Sequence, residues 1–175
     1  MRHFIIVDMQ KDFVTGPLGT PEAKKIVPKI KKRLEKARED GSRIYFTQDA
    51  HTLNYLKTLE GKKLPVPHCV VGTKGFDIVD ELPPLKRKET LILKNQFGYA
   101  DWYRKINPGD TVTICGVCTD ICVVSNALLI KAIGEVNVKI LADCCAGTTP
   151  EAHEAALTVM QNCQCEIVGW KKEGK

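Results

Sequence analysis

The strongest constraint in this sequence is an alternation. Short, apolar, β-rich runs take turns with longer runs of helical period along most of the chain. Phe4–Val7, Arg43–Thr47, Thr90–Leu93, Thr111–Cys115, Val136–Ala142 and Glu166–Val168 read as strands. Ala23–Asp40 reads as a helix, because Ile26, Val27, Ile30, Leu34 and Ala37 fall on one face and Asp40-Gly41 ends it. Asp120–Ile133 is a second helix, with Thr119 or Asp120 placed to cap it. Pro150–Asn162 is a third, opened by Pro150 and carrying Glu151 and Glu154 early, where the helix dipole favours acids. Asp101–Ile106 is a short one. Such alternation predicts an α/β sandwich around a mostly parallel sheet.

The chain has 175 residues, enough to bury a sheet-and-helix core without staples, and one domain over residues 1–175 is expected. The net charge of +5 is spread over helical stretches such as Lys24–Arg38 and the tail Lys171–Lys175. No basic stripe is interleaved with aromatics, so no nucleic-acid partner is expected. The N-terminal apolar run is too short for a signal peptide or a membrane span, which predicts a cytoplasmic protein. The eight cysteines then read as free thiols. Cys69, Cys115, Cys144, Cys145, Cys163 and Cys165 sit beside apolar residues and read as buried and inert.

In a parallel sheet, ligands bind beyond the carboxyl ends of the strands. Chemistry-bearing residues stand there. Asp8 follows the first strand, Asp49 and His51 the second, Lys94 the third, and Cys118 to Cys122 the fourth. Cys122 lies in the first turn of a helix, where free N–H groups and the dipole favour a thiolate. Cys118 competes for the same role, and either cysteine could be a small core residue. Asp8 and Lys94 end apolar strands, where a charge is costly unless paired. They form either a structural salt bridge or the base and cation that serve a cysteine nucleophile. Thr52–Thr73 is a long, polar, Pro-containing loop with room for one short helix; loops of that length are usually functional, and residues 49–73 are expected to serve as a metal and substrate loop. In and beside it Asp49, His51, Glu60 and His68 offer oxygen and nitrogen donors suited to zinc, iron or manganese. They could equally be three polar surface residues and one histidine satisfied by a neighbouring partner.

These segments resemble the isochorismatase-like cysteine hydrolases, and within them the nicotinamidases. The resemblance runs through Val7-Asp8-Met9-Gln10-Lys11-Asp12-Phe13, Thr47-Gln48-Asp49-Ala50-His51 and Leu93-Lys94-Asn95. It continues through Gly116-Val117-Cys118-Thr119-Asp120-Ile121-Cys122-Val123, Ala142-Asp143-Cys144-Cys145-Ala146 and Thr149-Pro150-Glu151-Ala152-His153. It implies a three-layer α/β/α sandwich with a six-stranded, Rossmann-like sheet. It implies a catalytic Asp8, Lys94 and Cys122, with Cys122 rather than Cys118 as nucleophile. It implies a cis peptide bond between Val117 and Cys118, and an oxyanion hole built from the amides of Cys118 and Cys122.

The resemblance also implies a divalent metal ion held by Asp49, His51, Glu60 and His68. The expected activity is hydrolysis of nicotinamide to nicotinate and ammonia through a thioester, as part of NAD salvage, in a homo-oligomer. Where nicotinamidases carry a ring-packing aromatic residue, Pro65 stands here. Phe13, Phe97 and Cys118 are therefore the candidate substrate contacts, although both phenylalanines could also be ordinary core. The alternatives are a metal-free amidase for another small amide or N-carbamoyl compound, a thiol-based redox or metal-storage protein, and a silent binding module on the same fold.

Overall fold

The computed structural model describes residues 1–170. The basic tail Lys171–Lys175 lies outside the described residues. The strands are β1 (Arg2–Val7), β2 (Arg43–Asp49), β3 (Thr90–Lys94), β4 (Thr111–Val117), β5 (Asn137–Ala146) and β6 (Glu166–Val168). They form one six-stranded sheet in the order β3-β2-β1-β4-β5-β6. Every adjacent pair in it runs parallel. The expected α/β sandwich is thus present. Strand order reverses between β1 and β4, the kind of switch point at which sheets of this type bind ligands beyond the carboxyl ends.

The helices are α1 (Lys11–Val14), α2 (Pro21–Glu39), α3 (Leu59–Lys63), α4 (Val124–Lys131) and α5 (Pro150–Asn162). Helix α2 starts earlier than its apolar period suggests, because the Thr20 side chain accepts from the Ala23 amide and Pro21 takes a first-turn position. Its buried face carries Ala23, Ile26, Val27, Ile30, Leu34 and Ala37. Burying each larger side chain there stabilises the fold by roughly 1.5–3 kcal/mol. That offsets Pro28, which sits inside the helix on its exposed side. Thr149 caps α5 in the same way as Thr20 caps α2.

Several sequence expectations need correction. The helix expected over Asp120–Ile133 begins as a π-helical turn, Thr119–Val123, before α4. Neither Thr119 nor Asp120 caps it: Cys118 holds the cap position without a side-chain bond, and both side chains are used elsewhere. The segment after β2 holds a 3₁₀ turn, Tyr55–Lys57, besides α3. The 101–106 helix is a 3₁₀ segment, Ala100–Arg104. All eight cysteines are free; Cys163 is exposed rather than buried, because the chain leaves α5 there. Among the described residues, no helix is long and apolar enough to cross a membrane.

Gly116 shows how tightly the two central strands meet. It pairs with Val7 and has φ +122. A Cβ there would lie 2.1 Å from the Val7 carbonyl oxygen, a backbone atom that cannot rotate away. Gly116→Ala should therefore cost about 1–3 kcal/mol or more from backbone strain and collision. Thermal melting checks this: the midpoint should fall by several degrees, and one within about 2 °C of wild type would contradict it.

Candidate active site

The carboxyl ends of β1, β3 and β4 bring Asp8, Lys94 and Cys122 together. Asp8 is fully buried and Lys94 and Cys122 nearly so. Lys94 Nζ lies 2.6 Å from Asp8 Oδ2 and 3.6 Å from Cys122 Sγ. Asp8 Oδ1 accepts a 2.6 Å hydrogen bond from the Thr47 hydroxyl. Asp8 Oδ2 meets the Lys94 ammonium, and a carboxylate oxygen keeps a second lone pair with which to accept a proton. The expected cis peptide bond between Val117 and Cys118 is present.

Charge in this site is set by burial first. Burial raises the Asp8 carboxyl above the usual carboxylate range, against the pull of the Lys94 ammonium. Burial alone would lower Lys94, but the neighbouring Asp8, Cys122 and Asp49 hold it above the usual lysine range. Burial also raises the Cys122 thiol well above its usual value; the Asp8 charge adds to this and Lys94 opposes it. The helix start was expected to favour a thiolate. Its partial charge is opposed by full burial beside a carboxylate, which raises the thiol. Burial pushes the partly exposed Cys118 thiol up to about 12.

A second cluster adjoins the first. Asp49, His51, Glu60 and His68 present ligand atoms that all lie within 4.8 Å of one another. His51 Nε2 is 3.0 Å from Asp49 Oδ2 and 3.7 Å from Glu60 Oε1. His68 Nε2 is 3.7 Å from both carboxylates. His68 Nδ1 sits 2.8 Å from the Val66 carbonyl oxygen; donating there, it leaves Nε2 to face the acids. The segment that looked like a loop builds this cluster in three ways. A bridge joins His51 to Val70, Thr58 caps α3, and α3 carries Glu60. Tyr55 packs edge-on to both histidine rings, at 4.7 and 4.9 Å. Burial raises Asp49, but bonds from His51 and His68 outweigh it and hold this carboxyl below the usual range. Asp49 Oδ1 is also 3.6 Å from Lys94 Nζ, which couples the two clusters.

The candidate ring contacts divide. Phe13 is buried with its ring 5.3 Å from that of His68, beside the second cluster. Phe97 is 46% exposed, and its carbonyl rather than its ring is tied towards the Cys122 helix.

Several further residues hold the site, of which the sequence reading gave a role only to Thr119 and Asp120, and that role was capping. Gln10 accepts from the Asp49 amide and donates to the Asp49 and Phe76 carbonyls, fixing the end of β2. Asp12 accepts from the Cys69 amide, next to His68. Thr119 Oγ1 is 2.7 Å from His153 Nδ1, and Asp120 accepts from both the amide and the hydroxyl of Thr148. These pairs pin the turn before Cys122 to the start of α5.

Lys94→Met should leave Asp8 and Asp49 buried without their cation and lower stability by about 3–5 kcal/mol. Adding Asp8→Asn should recover part of that loss. Urea denaturation checks both; a single-variant loss below about 1 kcal/mol would contradict the pairing.

The Isochorismatase domain profile matches residues 3–172. The pyrazinamidase of Pyrococcus horikoshii, solved in complex with zinc, is 32% identical over 97% of this chain and 99% of its own, with a TM-score of 0.80. A pyrazinamidase/nicotinamidase from Streptococcus mutans is 26% identical over 96% of this chain and 100% of its own, with a TM-score of 0.82. An N-carbamoylsarcosine amidase from Thermoplasma acidophilum covers 99% of each chain with a TM-score of 0.76, but at 22% identity it speaks to the fold alone. Comparison with curated protein sequences gives no match. The profile match across nearly the whole chain, on a sheet of this order, shows that the protein belongs to the isochorismatase family.

Proposed function

We propose that this protein is a cysteine amidohydrolase that converts nicotinamide to nicotinate and ammonia. The observation that carries the reading is the buried contact of Asp8, Lys94 and Cys122 at the sheet's switch point. A silent binding module has no need of an acid, an ammonium and a thiol gathered at such desolvation cost. The likeness to pyrazinamidases and nicotinamidases supports the substrate class.

The chemistry follows from the charge states. Asp8 is ionised beside Lys94 and has its pKa raised, which makes it a stronger base than a free carboxylate. As Cys122 Sγ attacks the carboxamide carbon, its proton passes to Asp8 Oδ2. Lys94, 3.6 Å from the sulfur, stabilises the negative charge that develops there. The amides of Cys118 and Cys122, at the start of the helical turn, hold the oxyanion. Collapse of the tetrahedral intermediate breaks the C–N bond, and Asp8 returns the proton to the leaving ammonia. Water then loses a proton to Asp8 and cleaves the thioester, restoring the thiol and releasing the acid.

Asp49, His51, Glu60 and His68 fit a divalent metal ion such as zinc, iron or manganese. Their donor atoms converge, two of the donors are carboxylates and two are imidazoles, and His68 is oriented by a carbonyl as ligating histidines usually are. When bound, such an ion supplies a Lewis-acid anchor for a ring nitrogen, which orients the carboxamide towards the thiol. Phe13 and Cys118 supply the ring contacts in this reading. It includes a cytoplasmic role in NAD salvage. Pro65, standing where nicotinamidases carry an aromatic residue, favours a second substrate reading: another small amide or N-carbamoyl compound. An ammonia-release assay across nicotinamide and a panel of such compounds separates the two.

Cys122→Ala should abolish ammonia release with the fold intact, and Asp8→Asn should lower it about 10²–10⁴-fold. Retained activity in the folded Cys122 variant would refute the assignment. Because Asp8 must be ionised and its pKa is raised, kcat/KM should fall with decreasing pH through a midpoint above the ordinary aspartate value of about 3.9. A midpoint at or below that value would count against Asp8 as the base.

Glu60→Ala and His68→Ala should each lower metal content and raise KM more than they lower kcat. Elemental analysis of the purified variants checks this, and unchanged occupancy would remove both as ligands.

A further inference from the structure

Asn126 is a polar residue inside the apolar run Val123-Val124-Ser125-Asn126-Ala127-Leu128-Leu129-Ile130, and it is fully buried. Its amide nitrogen donates to the Cys122 carbonyl at 2.7 Å and to the Phe97 carbonyl at 3.3 Å. Its amide oxygen accepts from the Trp102 indole N–H at 2.7 Å and the Tyr99 amide at 3.0 Å. A side-chain amide has two N–H donors and two oxygen lone pairs, so its whole hydrogen-bonding capacity is used. A buried amide satisfied in full is a rigid joint, since each bond holds the others in place.

The partners belong to two separate pieces of chain. One is the turn that carries Cys122. The other is the segment after β3, which begins next to Lys94 and holds Phe97, Tyr99 and Trp102. The 3.6 Å between Lys94 Nζ and Cys122 Sγ depends on how these two pieces sit against each other. We infer that Asn126 is a positioning residue that fixes the Cys122 turn against the segment leading from Lys94. It acts through the Cys122 carbonyl and through that segment, not on the reacting atoms. Trp102, itself fully buried, anchors the far side of the joint.

The inference rests on the amidohydrolase reading for its kinetic readout only; alkylation of the thiol tests it without any substrate. Two variants divide the joint. Asn126→Ala removes every bond. Asn126→Ser keeps a hydroxyl that can reach the carbonyl four residues back in its own helix, that of Cys122, but loses the links to Phe97, Tyr99 and Trp102. Both are compared with wild type at a temperature where circular dichroism shows them folded. The measurements are kcat and KM for nicotinamide, and site-resolved iodoacetamide labelling of Cys122 across pH.

Both variants should lower kcat about 10- to 100-fold with KM changed less than about threefold, as expected for misplacement by a fraction of an ångström to an ångström. Both should also move the pH midpoint of Cys122 labelling. A merely structural role would lower the melting temperature and move neither. A folded variant with kcat within about threefold of wild type and an unchanged labelling profile overturns the inference. If wild type releases no ammonia, the substrate reading fails and the labelling profile alone decides the role of Asn126. If neither variant folds, Trp102→Phe, which removes a single donor from the joint, takes their place. It should lower kcat about two- to fivefold and shift the labelling midpoint, and no change in either overturns the inference.

Discussion

One buried ammonium organises the site. Lys94 is in contact with Asp8 at 2.6 Å, and with Asp49 and Cys122 at 3.6 Å each. Taking an ammonium and two carboxylates out of water costs several kcal/mol per ion, and only close pairing offsets it. Each partner therefore constrains the others. Burial raises the Asp8 carboxyl, and the ammonium of Lys94 beside it opposes that rise. Lys94 stays protonated because carboxylates flank it. The same ammonium spans both clusters through Asp49, so the proposed nucleophile and the proposed metal ligands share one electrostatic environment.

That arrangement requires the backbone to deliver side chains from the ends of four strands, β1 to β4, to one point. The parallel sheet does this by aligning strand ends, and the close pairing of Val7 with Gly116 sets the spacing at the centre. Side-chain hydrogen bonds then hold what the strands deliver: Thr47 for Asp8, Gln10 for Asp49, Asp12 for the backbone beside His68. The helix bearing Cys122 is fixed on both flanks, by Thr119 with His153 and Asp120 with Thr148 before it, and by Asn126 after it.

How much of this was legible beforehand follows the range of the interactions. Strand and helix positions were readable because apolar period is a local property, as with the buried face of α2. Asp8, Lys94 and Cys122 were readable because charge or sulfur at the end of an apolar strand stands out in one dimension. The second cluster was readable only as donor types, since its convergence depends on α3 and on the bridge between His51 and Val70. Three things were beyond local reading. The π-helical turn at Thr119–Val123 depends on contacts with α5 and β5. The upward shift of the Cys122 thiol comes from burial, which a sequence does not show as it shows a helix start. The supporting residues Gln10, Asp12 and Asn126 act through partners distant in sequence. Family membership and a shared fold leave the substrate to be decided by side chains of the site itself.

The account turns on covalent bonding at one sulfur. The most direct measurement is mass spectrometry of the protein acid-quenched during turnover of nicotinamide, followed by peptide mapping. The account predicts a mass gain of one nicotinoyl group on the peptide bearing Cys122, removed by hydroxylamine. Turnover with no acyl adduct at Cys122, or with the adduct on Cys118, would contradict it.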